Sequence, residues 1–318
     1  MPFPRFDRSR LRLLPLAERV HDMTIADVLP VRSSPVSEEI PHLSDVADRV
    51  RASRAAGRPV IWLMGAHVIK QGLSRFVIAL MEEGWITHVA MNGAGAIHDF
   101  ELATIGATTE SVRRYIHDGQ FGLWVETGEI NDIVRAGAAD GLGFGEALGQ
   151  AILQRNPAFL STSILAAATR LGIPATVHIG IGQDIIHEHP NFDAAAAGQA
   201  SYDDFLVFTE SVTGLDGGVY LNVGSAVMGP EVYLKALAMA RNAAGASSIR
   251  RFTTAVFDLI SLGDDLASEA SKSDPRYYYR PFKTILVRTV QDGGESFYIR
   301  GDHRMTIPQL YEELKRGK

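Results

Sequence analysis

Cysteine is absent from the 318 residues, which excludes a disulfide framework, thiolate catalysis, an iron–sulfur cluster and any zinc site built on sulfur. A reducing, cytoplasmic setting fits that absence. An excess of positive charge is also missing: 31 Lys and Arg against 37 Asp and Glu give a net charge of −6. The sequence therefore makes no case for a polyanion binder held by counterion release, and no nucleic-acid partner is expected. The longest apolar stretches, around 60–69 and 171–186, are interrupted by His, Gly, Pro or Asp and fall short of the roughly 20 residues a membrane span needs. No membrane segment is expected. The first twenty residues mix Arg5, Arg8, Arg10 and Arg12 with Asp7 and Glu18 and hold no apolar core, so they read as a surface arm rather than a signal peptide. There is no internal repeat, low-complexity tract or Ser/Pro/Gly linker.

What is present is a chain with 46% hydrophobic and 21% charged residues, enough to bury a large core. The expected organisation is an N-terminal arm and helical segment over 1–57, followed by one α/β domain over 58–318. From Arg58 onward, short apolar runs alternate with longer amphipathic ones, the sequence form of a doubly wound α/β fold with helices on both faces of a mostly parallel sheet. The expected strands are Pro59–Met64, Ile86–Met91, Ala175–Ile181, Val219–Val223, Thr253–Asp258, Thr284–Arg288 and Ser296–Ile299. Helices are expected over Gly72–Glu83, Glu129–Ala139, Glu146–Gln154, Thr162–Leu171, Ser201–Thr213 and Glu231–Asn242, with a terminal one over Gln309–Lys315. Ser201 with Asp204, and Thr306 with Gln309, have capping-box spacing and mark two expected helix starts. The polar stretch Leu262–Arg280 reads as a long functional loop.

In open parallel sheets, ligands bind outside the carboxyl ends of the strands. Here those positions hold Gly65-Ala66-His67, then Asn92-Gly93-Ala94-Gly95 with Asp99 further on, then Gly182-Gln183-Asp184, then Gly224-Ser225. Four strand ends with small residues and polar neighbours point to one extended ligand along the sheet edge, its phosphates received by backbone N–H groups. A second constellation is His178 with His187-Glu188-His189. Histidines at that spacing either ligate zinc in a hydrolase or line an organic-ligand pocket; no H-E-x-x-H motif is present, and the organic pocket is the preferred reading. Lys283 follows Tyr277-Tyr278-Tyr279. An amine desolvated among aromatic rings favours its neutral form, which can make a Schiff base, whereas a snorkelling lysine has no such role.

The order of these motifs resembles the deoxyhypusine synthase family from about Pro59 to Glu313. The stretch Trp62–Gly72 resembles the family's opening strand, turn and helix. Asn92–Asp99 is similar to its threonine-alanine-glycine-glycine turn, Gly172-Ile173-Pro174 through Gln183-Asp184 to its isoleucine-proline strand ending in threonine-aspartate-glycine. Gly224-Ser225-Ala226 resembles its glycine triplet, Gly301-Asp302-His303 its alanine-aspartate-alanine turn, and Pro281-Phe282-Lys283 the segment carrying its catalytic lysine.

The resemblance implies a Rossmann-like homotetramer that binds NAD at subunit interfaces. It implies oxidation of an amine and transfer of an aminoalkyl group through the lysine. It makes Gly65, Ala66, His67, Asn92, Gly93, Ala94, Gly95, Asp99, Asp184, Gly224, Ser225, Asp258 and Asp302 the candidate NAD-binding residues, and Lys283, His187, His189 and Glu231 the candidate catalytic ones. Where the family carries lysine-histidine-histidine after its glycine triplet, this chain has Met228-Gly229-Pro230-Glu231. The carboxylates available to meet an amine are Glu126, Glu129, Glu188, Asp203 and Glu231. The expected substrate is a small polyamine-like amine. The alternatives are an NAD-dependent amine or imine oxidoreductase without group transfer, a metal-dependent hydrolase at His178, His187 and His189, and a non-catalytic NAD-binding oligomer.

Overall fold

A computed structural model of the protein describes residues 3–32, 39–245, 247–263, 266 and 268–316. Six strands form one sheet: β1 (Val60–Met64), β2 (His88–Asn92), β3 (Ala175–His178), β4 (Val219–Val223), β5 (Thr253–Asp258) and β6 (Glu295–Arg300). Their spatial order is β3-β2-β1-β4-β5-β6, and every neighbouring pair is parallel. That order defines the doubly wound Rossmann arrangement, with its topological switch between β1 and β4.

Eleven α-helices are described: α1 (Leu43–Ala55), α2 (His67–Lys70), α3 (Ser74–Glu82), α4 (Gly93–Ile105), α5 (Val112–His117), α6 (Glu129–Ala139), α7 (Phe144–Arg155), α8 (Ile164–Leu171), α9 (Ala194–Thr213), α10 (Met228–Ala244) and α11 (His303–Arg316). Alternate strand residues feed two cores. Trp62, Met64, Met91, Leu221 and Phe257 pack under α1, α3, α4, α8 and α11, while Ile61, Leu63, Tyr220 and Val256 pack under α9 and α10. Burial on both faces is why β1 and β4 read as unbroken apolar runs. No helix among the described residues is long and apolar enough to cross a membrane.

Three expectations fail for identifiable reasons. Thr284–Arg288 is not a strand: Pro281–Arg288 is a buried π-helix on the second face. Its apolar, β-branched run is equally suited to either state when fully buried. The loosened winding frees backbone carbonyls, and hydroxyls of the sheet serve them: Thr254 Oγ1 donates to the Ile285 carbonyl at 3.0 Å and Ser296 Oγ to that of Leu286 at 2.7 Å.

Ser201 does not begin a helix either. The helix starts about two turns earlier, capped by Asp193, whose carboxylate accepts from the N–H groups of Ala195 and Ala196. Ser201 and Asp204 instead close the free edge of β3. Asp204 accepts from Val177 N–H at 2.7 Å and Gly145 N–H at 2.9 Å, and Ser201 Oγ donates to the Val177 carbonyl at 2.9 Å. Two side chains thus pair an edge strand that lacks a neighbour. At the other end, α11 begins at His303, three residues before Thr306, with Asp302 accepting from Arg304 N–H at 2.8 Å.

The N-terminal segment is an arm only at its start, where Phe3 and Phe6 are exposed. From Leu14 it becomes a strap. Leu14 bridges Trp124, Leu16 N–H donates to Glu126, and Met23–Thr24 pairs antiparallel with Ala107–Thr108. Of the expected loop Leu262–Arg280, positions 264, 265 and 267 lie outside the described residues; its later part contains a 3-10 turn, Pro275–Tyr278.

Candidate functional site

The switch point brings together the turns that leave β1 and β4. They touch: a Cβ on Gly65 would lie 2.2 Å from the Gly224 carbonyl oxygen, so only glycine allows this approach. Gly224 is left-handed (φ +62°), and His303 packs so closely that a side chain there would meet its Nε2 at 2.6 Å. Beyond Gly224-Ser225, Ser225 Oγ accepts from Gly229 N–H at 2.9 Å in the first turn of α10, and Pro230 in that turn has no N–H. A Gly turn at the switch point lets a phosphate come close to the backbone, and the N–H groups it would meet are those of the turn, since Gly229 N–H is taken and Pro230 has none. Val227 and Leu259 are exposed apolar residues on this rim, and Asp258 and Asp302 close it. Asp258 accepts from Tyr279 OH and from Leu259 N–H. These residues fit a dinucleotide.

The Gly93 turn is different. Asn92 caps α4 through Gly95 N–H at 2.9 Å, and the Asp184 carboxylate covers the turn so closely that a Cβ on Gly93 would meet it at 2.2 Å. The Ala94 N–H donates to Asp184. The start of α4 is therefore already occupied by the chain's own carboxyl group.

Beside it opens a cavity of about 220 Å3, lined by Arg19, Lys70, His98, Glu101, Glu110 and Asp184 among others. That volume holds a small molecule rather than a dinucleotide. The strap supplies one wall. Arg19 makes a buried two-armed ion pair with Glu101, at 2.9 and 2.6 Å, while Thr127 and Thr108 donate to the two Glu101 oxygens at 2.6 and 2.7 Å. Burial works to raise the Glu101 pKa, but the hydrogen bonds and charge of Arg19 outweigh it and hold the group below its usual value. Asp184 has no such partner: burial pushes it up to about 6, with Ala94 N–H opposing. Burial also lowers His98 to about 4 and raises Glu110; Glu188 is raised by burial and by Glu110. Thr109, on the same wall, is a β-branched residue at φ +64°, a strained backbone.

The remaining candidates fall elsewhere. Asp99 is fully buried, accepting from Ser163 Oγ and from the N–H groups of Ile164 and Leu165 at the start of α8. Lys283 lies in the π-helix, with Nζ 4.3 Å from the Tyr277 ring centre, and Glu231 on α10 pairs with Arg280 and Lys235. Neither Lys283 nor Glu231 lines the 220 Å3 cavity. His189 is fully buried and donates through Nε2 to the Gly122 carbonyl at 2.8 Å. His178 instead meets His88 through Thr176 Oγ1, at 3.1 and 3.0 Å; burial lowers both histidines to about 3. Among the described residues, no three His, Cys, Asp or Glu side chains converge to hold a metal ion, so the proposed trio of His178, His187 and His189 is not assembled. A larger cavity, about 780 Å3, lies on the outer side of α3 and α8 and shares no residue with this region.

Arg19, Lys70 and Glu110 were missed from sequence as site residues, and His98 and Glu101, within the stretch that follows β2, were given no role. His98 and Glu101 sit one turn apart on α4, just past the Gly-rich turn, which was a readable signal. Arg19 was not, because its partner lies 82 residues away.

No protein-family model matches the sequence, and no curated protein matches it. Solved structures do. The chain is similar to apo ArgZ, an arginine dihydrolase from the ornithine–ammonia cycle in Cyanobacteria, with a TM-score of 0.51 and 17% identity over 87% of this chain. It is also similar to AgrE in ternary complex with ornithine and NAD+, with a TM-score of 0.50 and 15% identity over 87% of this chain. In both cases it spans 33% of the other protein. A deoxyhypusine-synthase-like protein from Entamoeba histolytica, covered over 87% of its length, gives 0.46 and 8% identity, too slight a likeness to carry an argument. Fold and likenesses define the class: a Rossmann-like α/β protein with a parallel six-stranded sheet.

Proposed function

We propose that the protein is an NAD-dependent enzyme that oxidises a small amine to an imine. The dinucleotide would lie along the carboxyl edge of the sheet across the β1/β4 switch, and the amine would sit in the 220 Å3 cavity. The observation that carries this reading is the placement, on one sheet edge, of the close-packed Gly65 and Gly224 turns and a cavity whose carboxyl group, Asp184, has no cationic partner among the described residues. The reading is supported by AgrE, which has this fold and is solved with ornithine and NAD+.

The turns Gly65-Ala66 and Gly224-Ser225 would hold the phosphates, with His67 beside them. Asp258 and Asp302 would accept from sugar hydroxyls. Of the turn Asn92–Gly95, Ala94 lines the amine cavity, and Gly93 lies beneath the Asp184 carboxyl group. When bound, NAD supplies the oxidant, taking two electrons and a hydrogen from the carbon that bears nitrogen. The protein's part is to hold the ammonium, take its proton and keep water out.

Calorimetric titration with NAD+ and NADH tests this. Saturable binding is expected, weakened at least tenfold in Val227→Asp, which sets a negative charge at the start of α10 on an exposed residue. Binding of neither form at millimolar concentration overturns it.

Group transfer is a second reading, favoured by the burial of Lys283 against Tyr277 in a π-helix. Borohydride added to a mixture of enzyme, NAD+ and putrescine should then leave a reduced adduct on Lys283, absent in Lys283→Arg. NADH formation with no adduct assigns a simple oxidoreductase; NAD binding with no turnover of any amine assigns a non-catalytic sensor. A homo-oligomer belongs to the same reading, and sedimentation of the NAD-bound protein tests it.

A further inference from the structure

His187 was a candidate catalytic residue, yet it does not line the cavity; it stands behind Asp184, which does. Its ring is fixed by the backbone. Nδ1 accepts two hydrogen bonds, from the N–H groups of Gly182 and Asp184, both at 3.1 Å. A nitrogen that accepts twice carries no proton, so the neutral ring holds its proton on Nε2. Nε2 is buried, has no hydrogen-bond partner among the described residues, and stands 4.0 Å from Asp184 Oδ2. Both side chains are nine-tenths buried or more, at 4% and 8% exposure. A buried donor left unmade is costly, and the only carboxylate oxygen within 4.0 Å among the described residues is one the donor does not quite reach. Gly93 lies under the other side of the carboxyl group, leaving the cavity as its open direction.

We propose that Asp184 is the proton acceptor of the cavity, with His187 as its positioning residue. The inference rests on the amine reading above for the identity of the proton donor. An ammonium group entering the cavity gives one N–H proton to Asp184: the N–H bond breaks, its electron pair stays on nitrogen as the lone pair that later forms the imine, and an O–H bond forms on the carboxyl group. Before that transfer the carboxylate is charged, and the Nε2–H of His187 closes the gap and stabilises it; after transfer the contact relaxes. Burial raises the affinity of Asp184 for a proton and lowers that of the amine, so both changes favour the transfer. The charged groups facing Asp184 are Lys70 on α2, His98 and Glu101 on α4, Arg19 on the strap and Glu110 in the turn after the short strand at 107–108. Arg19 is neutralised by Glu101, which leaves Lys70 as the one lining cation without an ion pair among the described residues.

The test is a pH titration of the full chain by NMR, reading the side-chain nitrogens of His187 and the carboxyl carbon of Asp184. From about pH 5 to about pH 8, Nδ1 should stay unprotonated and Nε2 protonated. The Asp184 carboxyl should titrate near 6, and the Nε2–H signal should move with the same midpoint. Asp184→Asn should abolish that movement while leaving the tautomer unchanged. A proton on Nδ1, or an Nε2–H signal blind to Asp184, overturns the proposal. A second arm separates it from the amine reading. Putrescine should lower the Asp184 midpoint and release a proton on binding near pH 6, and butanediol, its neutral counterpart, should do neither. If the Asp184–His187 coupling is present but putrescine leaves the midpoint where it was, the donor is not an amine and the functional reading fails, while the pair stands. His187→Gln, which keeps an N–H donor, should hold the midpoint within a few tenths of a unit, and His187→Leu should raise it by about one unit.

Discussion

Asp204 and Gly93 each set a local property that a single substitution can test. Asp204 is buried in α9, and burial raises it to about 7, against the hydrogen bonds from Val177 and Gly145. A carboxyl whose folded pKa lies above its unfolded one binds its proton more tightly when folded. Its contribution is fully present below about pH 4 and is lost as pH rises through about 7. His88 and His178, lowered to about 3, act in the opposite sense and are removed by comparison with a variant. Between pH 5 and 7 the stability of wild type relative to Asp204→Asn should fall by about 1 kcal/mol per pH unit. Urea unfolding at several pH values measures it, and a flat difference would show that the carboxyl is not held neutral. At Gly93 an added methyl meets the end of a flexible side chain rather than backbone. Gly93→Ala should therefore cost only about 1 kcal/mol in stability, while displacing Asp184 and weakening putrescine at least tenfold by calorimetry.

At the scale of elements, the π-helix Pro281–Arg288 depends on hydroxyls from strands on either side of it. Thr254→Val keeps the shape and removes the donor to Ile285, so unfolding free energy should drop by about 1 kcal/mol. Amide exchange should quicken over 281–288 rather than in the sheet; uniform loss of protection would place the effect elsewhere. The same elements show what could be read from sequence. Five strands were legible because double burial makes runs such as Val219–Val223 continuous, and the last, Glu295–Arg300, was found only in its middle. The α4 helix was overlooked, since Gly93-Ala94-Gly95 looks like a turn until Asn92 is seen to cap it. Ser201 and Asp204 had the right spacing for a cap and a different task, because the pattern cannot say which backbone N–H lies within reach. For the site, the strand-end glycines and Asp184 were visible, whereas the cavity walls depended on contacts between distant segments.

For the whole molecule, the Arg19–Glu101 pair ties the strap to the first half of the sheet. Arg19→Ala leaves a buried carboxylate without its cation and should cost about 3 to 5 kcal/mol. Arg19→Met combined with Glu101→Leu removes both charges and should recover part of that loss, read as thermal midpoints of the three proteins. No recovery would mean that the hydroxyls of Thr108 and Thr127, left without Glu101, matter more than the ion pair. The strap also sets an order of events in synthesis. Arg19 emerges 82 residues ahead of Glu101, and Arg8 emerges 184 residues ahead of the Phe192 carbonyl it finally holds. A segment made well before its partners is thus among the last to find its place, and the cavity can close only when the strap returns. A nascent chain paused between α4 and α9 would already contain the acid and its arginine, yet would not hold the finished wall.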